Sequence, residues 1–335
     1  MEINNNKLMN VFNKNLHIDP KYQHLEKYVH IMYRGIWTPA KYEKLIKEVD
    51  VPHFNNILPE LDQEIIKKCI LAVSIVEDKV KTFWPTVALD LPQTIIGDVG
   101  GLFSQSEVTH RRSYHSLAEC LNVNLDDINK YQALKGRIEY LGKYIENDPK
   151  IIGKKRILKK LVLFTSLVER CSLFTQFYIL MSYAYHNRGL KTISALQEST
   201  AIEEVTHYNF GIDLINIIKE ESPQLWDEYL IELINENIQI AYQSELNLID
   251  WFFKHGTPEH LTKEEVINFL NYNFNTVCKD LGLDLHFEVN EQLFEEKNLW
   301  FKMKVFMTTE PDFFDSPVSG YASDDEQVEI DTFNF

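Results

Sequence analysis

Glycine and proline are scarce in this chain, at 12 and 11 of 335 residues, which excludes a collagen-like or low-complexity protein. Long apolar runs are missing as well. Hydrophobic residues make up 44% of the sequence, yet no uninterrupted stretch approaches the roughly twenty residues of a membrane span. The opening MEINNNKLMNVFNKN has neither an apolar core nor a small-residue cleavage site, so a cytoplasmic protein is expected. Cysteine amounts to Cys69, Cys120, Cys171 and Cys278, with no CxxC spacing. Reduced core thiols fit that scatter better than a disulfide framework or a thiolate zinc site. Basic residues are outnumbered, 34 Lys and Arg against 50 Asp and Glu, leaving a formal charge of -16. Phosphate contacts need clustered Lys and Arg, so nucleic acid and anionic membranes are excluded as general partners. Cations or basic surfaces are expected instead.

What is present is helical periodicity. The pattern predicts helices over 59–84, 99–122, 125–146, 152–187, 190–219, 223–254 and 262–281, with a shorter one near 290–304. Nothing reads as a sheet. Pro85, Asn187-Arg188-Gly189 and Ser222-Pro223 punctuate the breaks. Gly97, Gly100 and Gly101 are not followed by GK[ST], so a tight lead-in to the next helix is expected there rather than a phosphate loop. The chain divides into an N-terminal extension (1–24), a helical domain (25–307) and a tail (308–335). The tail, TTEPDFFDSPVSGYASDDEQVEIDTFNF, is acidic, poor in aliphatic residues and aromatic at its end, so disorder until a partner binds it is expected.

The tetrapeptide EVTH occurs twice, at Glu107 to His110 and at Glu204 to His207. Residues three apart share a helix face, so each copy can aim a carboxylate and an imidazole at one point. The apolar stripe Phe103, Glu107, His110, Tyr114, Leu117, Leu121 places two ionisable groups and a phenol in a row of core positions. A second stripe, Ile66, Ile70, Val73, Glu77, Val80, Trp84, has a glutamate where an apolar residue belongs. A third, Leu158, Val162, Thr165, Glu169, Leu173, Phe177, has another. Four helices therefore offer Glu77, Glu107 with His110, Glu169, and Glu204 with His207 to a common interior.

A buried unpaired carboxylate costs several kcal/mol, so four together need cations. Four carboxylates balance two divalent ions. Hard oxygen donors with two imidazoles suit iron or manganese. One glutamate from each of two helices and a Glu-x-x-His from each of two others is the donor set of dinuclear carboxylate bundles.

The residues around these ligands resemble the small subunit of class I ribonucleotide reductase, over about Trp37 to the C-terminus. The resemblance rests on EVTHRRSY, on the glutamate of LVERCSLFTQF, on AIEEVTHYNF and on the acidic, aromatic-ended tail. It implies an all-α, ferritin-like bundle and a homodimer that works with a large catalytic subunit, docked through the tail, to reduce ribonucleotides. In that family the tyrosine one turn past the first ligand histidine holds a stable radical, a position occupied here by Tyr114. Trp37, in GIWTPAKYE, matches the tryptophan of the family's radical path, and Tyr321 the mobile tyrosine of its tail.

This chain departs from the family in three places. Glu77 stands where many members have aspartate, with Asp78 as an alternative that falls off the stripe. Glu203 replaces the aspartate usual before the second ligand glutamate, which puts the hydrogen-bond link towards Trp37 in question. Lys81, four residues after Glu77 in EDKVKTFW, resembles the subgroup that uses two manganese ions and keeps its oxidising equivalent on the metals, with the tyrosine unoxidised. A solvated lysine remains the alternative for Lys81. Two manganese ions are therefore the expected cofactor, with two iron ions or a mixed Mn/Fe pair as alternatives. Leu173 and Phe177 are expected to supply part of an apolar shell. A ferritin-like iron protein, or a di-iron oxidase or desaturase acting on its own substrate, would use a similar bundle, but needs neither Tyr114 at that spacing nor the tail.

Overall fold

The computed structural model describes residues 10–80 and 82–307, with the backbone alone for 78–80. The expectations for Lys81, for the side chains of Asp78 and Val80, and for Tyr321 with the rest of the 308–335 tail lie outside the described residues. Among the described residues every element is helical, as the periodicity predicts.

Three short helices, α1 (Glu26–Gly35), α2 (Ala40–Leu45) and α3 (Val51–Asn56), precede the expected ones. Segments this short are marginal helices on their own. They form here because Tyr28, Met32, Tyr42 and Phe54 are buried against the bundle. The helix expected over 59–84 is instead two, α4 (Glu60–Val80) and α5 (Phe83–Asp90). Pro85 falls in the first turn of α5, where its missing N–H breaks no ladder bond.

Helix α6 (Thr94–Cys120) starts earlier than expected and contains Gly97, Gly100 and Gly101, which correct the reading of a glycine lead-in. A Cβ at Gly100 would sit 2.7 Å from the carbonyl oxygen of Trp84, so this glycine lets α5 lie against α6. The expected 125–146 helix is only α7 (Gln132–Leu141), flanked by 3-10 turns. The expected 152–187 helix is α8 (Gly153–Leu163), a π-helical segment Phe164–Cys171, and α9 (Phe174–Tyr185). Then follow α10 (Lys191–Glu221), α11 (Glu228–Phe252) and α12 (Lys263–Leu281), with short α and π turns over 291–306. Asp227 caps α11, and Thr262 with Glu265 forms a capping box at α12.

The bundle is a square of α4, α6, α10 and the α8–π–α9 unit: α4 packs on α6 and α9, and α10 packs on α9, α6 and the π segment. Gly211 lets α10 approach that segment, since a Cβ there would meet Thr165 Oγ1 at 2.2 Å. On the outer side α11 lies against α7, α12 and α8. One buried ion pair ties that layer down: Arg137 Nε donates to Glu245 Oε1 at 2.9 Å, its second nitrogen binds Glu245 Oε2, and Tyr140 donates to Oε1 at 2.6 Å.

Candidate metal centre

All three predicted stripes point inward. Phe103, Glu107, His110, Tyr114, Leu117 and Leu121 are buried along α6; Ile66, Ile70, Val73 and Glu77 along α4; and Leu158, Val162, Thr165, Glu169, Leu173 and Phe177 along the α8–π–α9 unit. Trp84, expected at the end of the α4 stripe, is buried from α5 instead. With Glu204 and His207 buried on α10, the six groups reach the centre from four walls. The contribution of α9's unit comes from the π-helical turn, a distortion that recurs at functional sites.

Ligand-capable atoms of Glu77, Glu107, His110 and Glu204 all lie within 4.8 Å of one another, as do those of Glu107, Glu169, Glu204 and His207. The two groups share Glu107 and Glu204. Within them, His110 Nδ1 is 2.9 Å from Glu204 Oε1 and 3.8 Å from both Glu77 Oε2 and Glu107 Oε2. His207 Nδ1 is 3.2 Å from Glu107 Oε1, 3.2 Å from Glu204 Oε2 and 3.7 Å from Glu169 Oε2.

The far nitrogens of the imidazoles face other partners. His110 Nε2 lies 2.6 Å from Glu203 Oε2. His207 Nε2 lies 3.0 Å from Ser106 Oγ, and that hydroxyl gives its proton to Phe103 O at 2.9 Å. Ser106 therefore accepts, and His207 Nε2 carries the hydrogen. Both rings are so fixed with Nδ1 towards the carboxylates, the arrangement in which an outer partner orients a metal-binding histidine. Trp84 Nε1 donates to Glu169 Oε1 at 2.7 Å. Tyr114 Oη donates to Gln197 Oε1 at 2.7 Å.

Charge balance tests whether cations fit. Glu77 Oε1 and Oε2, Glu107 Oε1 and Oε2, Glu169 Oε2, Glu204 Oε1 and His110 Nδ1 are buried with no aligned hydrogen bond. Burial, then the charges of neighbouring carboxylates, pushes the carboxyls of Glu77, Glu107 and Glu169 up. Burial opposes the charged form of His110 and His207, but their carboxylate neighbours outweigh it and raise both. Glu204 moves the other way: burial would raise it, yet His207 and the bonds from Glu169 and His110 hold it well below the usual range. Protons and divalent cations are thus competing ways of neutralising the same buried charges. Facing donor atoms of this chemistry fit two hard metal ions.

Trp37 stacks on His110, with ring centroids 6.0 Å apart, and meets Tyr42 edge-on at 5.4 Å. Its indole nitrogen has no hydrogen-bond partner, and Glu203 is bonded to His110, so the Trp37 connection is a ring contact. Around His207 the apolar wall is Phe103, with ring centroids 4.1 Å apart, and Trp84 at 6.0 Å. Ser106 and Gln197 carried no signal in the sequence, because their partners lie 101 and 83 residues away.

Residues 15–296 match the family described as ribonucleotide reductase, small chain, and the chain belongs to that family. The ribonucleoside-diphosphate reductase subunit beta of Chlamydia pneumoniae is 25% identical over 171 residues, 50% of this chain and 47% of that protein. The chain thus spans about half the length of that curated relative. A putative class I ribonucleotide reductase from Bacillus halodurans has the same fold, with a TM-score of 0.73 at 17% identity, covering 84% of this chain and 99% of its own. An R2-like ligand-binding oxidase variant with an aerobically reconstituted Mn/Fe cofactor aligns with a TM-score of 0.62 at 15% identity, covering 78% of this chain and 95% of its own.

Proposed function

We propose that the chain is the small subunit of a class I ribonucleoside-diphosphate reductase, generating and keeping the oxidising equivalent that a large catalytic subunit uses to make deoxyribonucleotides. The observation that carries this reading is the pair of four-residue groups sharing Glu107 and Glu204. In this reading Glu77, Glu107, His110 and Glu204 hold one ion, and Glu107, Glu169, Glu204 and His207 the other. Two redox-active ions bound there supply a one-electron oxidant. The protein's own part is to orient the donors through Glu203, Ser106 and Trp84, and to exclude water with Phe103, Trp84 and Phe210, which pack ring on ring.

Two manganese ions are the proposed cofactor, on the resemblance of EDKVKTFW with its Lys81; two iron ions or a mixed pair are the alternatives. The Mn/Fe cofactor named for the oxidase neighbour supports the view that this fold accepts either metal. Trp37, in contact with His110, is proposed to start the path outward, continued by Tyr321 towards a cysteine of the large subunit. The tail docks there through Phe333 and Phe335, two copies of the chain form a homodimer, and the protein works in the cytoplasm. Deleting residues 325–335 should then abolish turnover; unchanged turnover rules out docking by the tail.

A ligand-binding oxidase or desaturase acting on its own substrate is the rival reading, and product formation tells the two apart. The metal-loaded chain, mixed with the large subunit of its host, should form deoxynucleotides from ribonucleoside diphosphates, measured by chromatography. Desaturated lipid or mineralised iron as the sole product would favour the rival.

A further inference from the structure

We infer that Gln197 is a positioning residue that turns the hydroxyl of Tyr114 towards a neutral amide and so keeps this phenol from being oxidised. The inference rests on the proposed dinuclear oxidant site and deepens it, assigning the residue that decides where the electron hole rests.

Tyr114 lies on α6 one turn beyond His110, fully buried, and Gln197 lies fully buried on α10, two turns before Glu204. The phenol donates to Gln197 Oε1 at 2.7 Å, while Gln197 Nε2 has no partner. Thr200, one turn further along α10, lies beside the phenol, its hydroxyl completing no hydrogen bond. Both groups are neutral, whereas Glu77 and Glu204 bear on the phenol through their charge alone. Among the described residues no carboxylate is hydrogen-bonded to Tyr114 Oη.

Oxidation of Tyr114 would pass one electron to the oxidised metal pair, reducing it by one, and would release the phenolic proton from Oη. A neutral tyrosyl radical forms only if a base receives that proton, because the protonated radical is too high in energy to persist. A carboxamide or an alcohol accepts a hydrogen bond but does not keep a proton at neutral pH, whichever way the Gln197 amide is turned. Burial, and then the nearby charge of Glu77, also push the ionisation of Tyr114 well up, so the phenol does not lose its proton beforehand. The electron would have a destination, whereas the phenol's hydrogen-bond partner among the described residues offers the proton none. The hole accordingly stays with the metals.

The test restores the missing base. The full-length protein is loaded with manganese, or with iron, exposed to oxidant and measured by electron paramagnetic resonance. The unmodified chain should show no tyrosyl signal. Gln197→Glu or Gln197→His, each adding a proton acceptor beside Oη, should gain a tyrosyl doublet that vanishes when Tyr114→Phe is added. A second readout needs neither metal nor large subunit. In the metal-free protein, the infrared C–O stretch of Tyr114, isolated by subtracting the Tyr114→Phe spectrum, should shift in Gln197→Leu as the hydrogen bond is lost. A Tyr114 radical in the unmodified protein overturns the inference. So does the absence of that radical from both base-bearing variants when they bind metal normally, or an unshifted band in Gln197→Leu. Because neither readout involves ribonucleotide reduction, failure here is separate from failure of the reductase reading.

Discussion

The indole N–H of Trp84 holds Glu169 Oε1 at 2.7 Å, joining the first turn of α5 to the π-helical segment across 85 residues of sequence. An outer partner of this kind fixes a ligand's orientation, and its loss typically weakens metal binding about 10- to 100-fold. Trp84→Phe keeps most of the ring volume and removes the donor. Its metal affinity, measured by competition with a chelator, should fall by about that factor while the helical circular dichroism is retained. Unchanged affinity would rule out the orienting role of the Trp84 N–H.

Because Glu107 and Glu204 belong to both four-residue groups and Glu77 and Glu169 to one each, the stoichiometry of binding should report position. Glu204→Ala should lose both ions. Glu77→Ala should lose mainly the ion on the His110 side and keep close to one per chain. Metal analysis of the purified variants, with thermal melts to check folding, distinguishes the cases. Equal loss in both variants would contradict the assignment of shared ligands.

Away from the centre, Arg137 and Glu245 are both fully buried. Removing one partner leaves an unpaired charge in the core, which costs about 3–5 kcal/mol. Glu245→Leu should therefore lower the denaturation midpoint strongly, whereas Arg137→Met combined with Glu245→Leu should recover much of the loss. If the double variant is as unstable as the single one, packing rather than the stranded charge sets the cost.

His260 is pressed between Tyr183 and His186, and its Nε2 lies 3.0 Å from Ser182 Oγ. Burial, then the charges of His186 and Arg188, lowers its pKa from 6.5 to about 4. Between these values the unfolded chain binds a proton that the folded chain refuses. Stability from this group is therefore complete above about pH 6.5 and is lost as pH falls towards 4, by about 1–3 kcal/mol for a site of this partial burial. His260→Gln should flatten that part of the urea-midpoint profile between pH 7 and 5. A variant with the same slope as the parent would show that other groups dominate acid sensitivity.

The clustering of these carboxylates and imidazoles was readable from sequence where it obeyed a helical period. Glu77, Glu107 and His110 lie in regular α-helix, at positions that apolar neighbours three and four residues away mark as inward-facing. Glu169 was found by the same rule, yet the backbone there is π-helical, and periodicity carries no mark of that change. The separation of α4 from α5 was missed because Lys81, Thr82 and Phe83 continue an acceptable helical pattern. The N-terminal helices α1 to α3 were missed because their stability comes from tertiary burial rather than length. The partners that set ring orientation and phenol direction, Ser106 and Gln197, were invisible for a different reason. Serine and glutamine are ordinary at any helix position, and only the folded chain brings them to His207 and Tyr114.

The π-helical segment Phe164–Cys171 has one more consequence. An α-helix advances about 100° per residue, and a π turn absorbs an extra residue without lengthening the path in proportion. Removing a single residue from this segment would let the ladder close as ordinary α-helix, with α8 and α9 keeping their faces and only residues inside the segment turning, by up to about 100°. A cut beside Glu169 would turn that carboxylate away from the other donors. A more regular bundle, easier to assemble, would thus be available one codon away, and its cluster of carboxylates and imidazoles would have one corner missing.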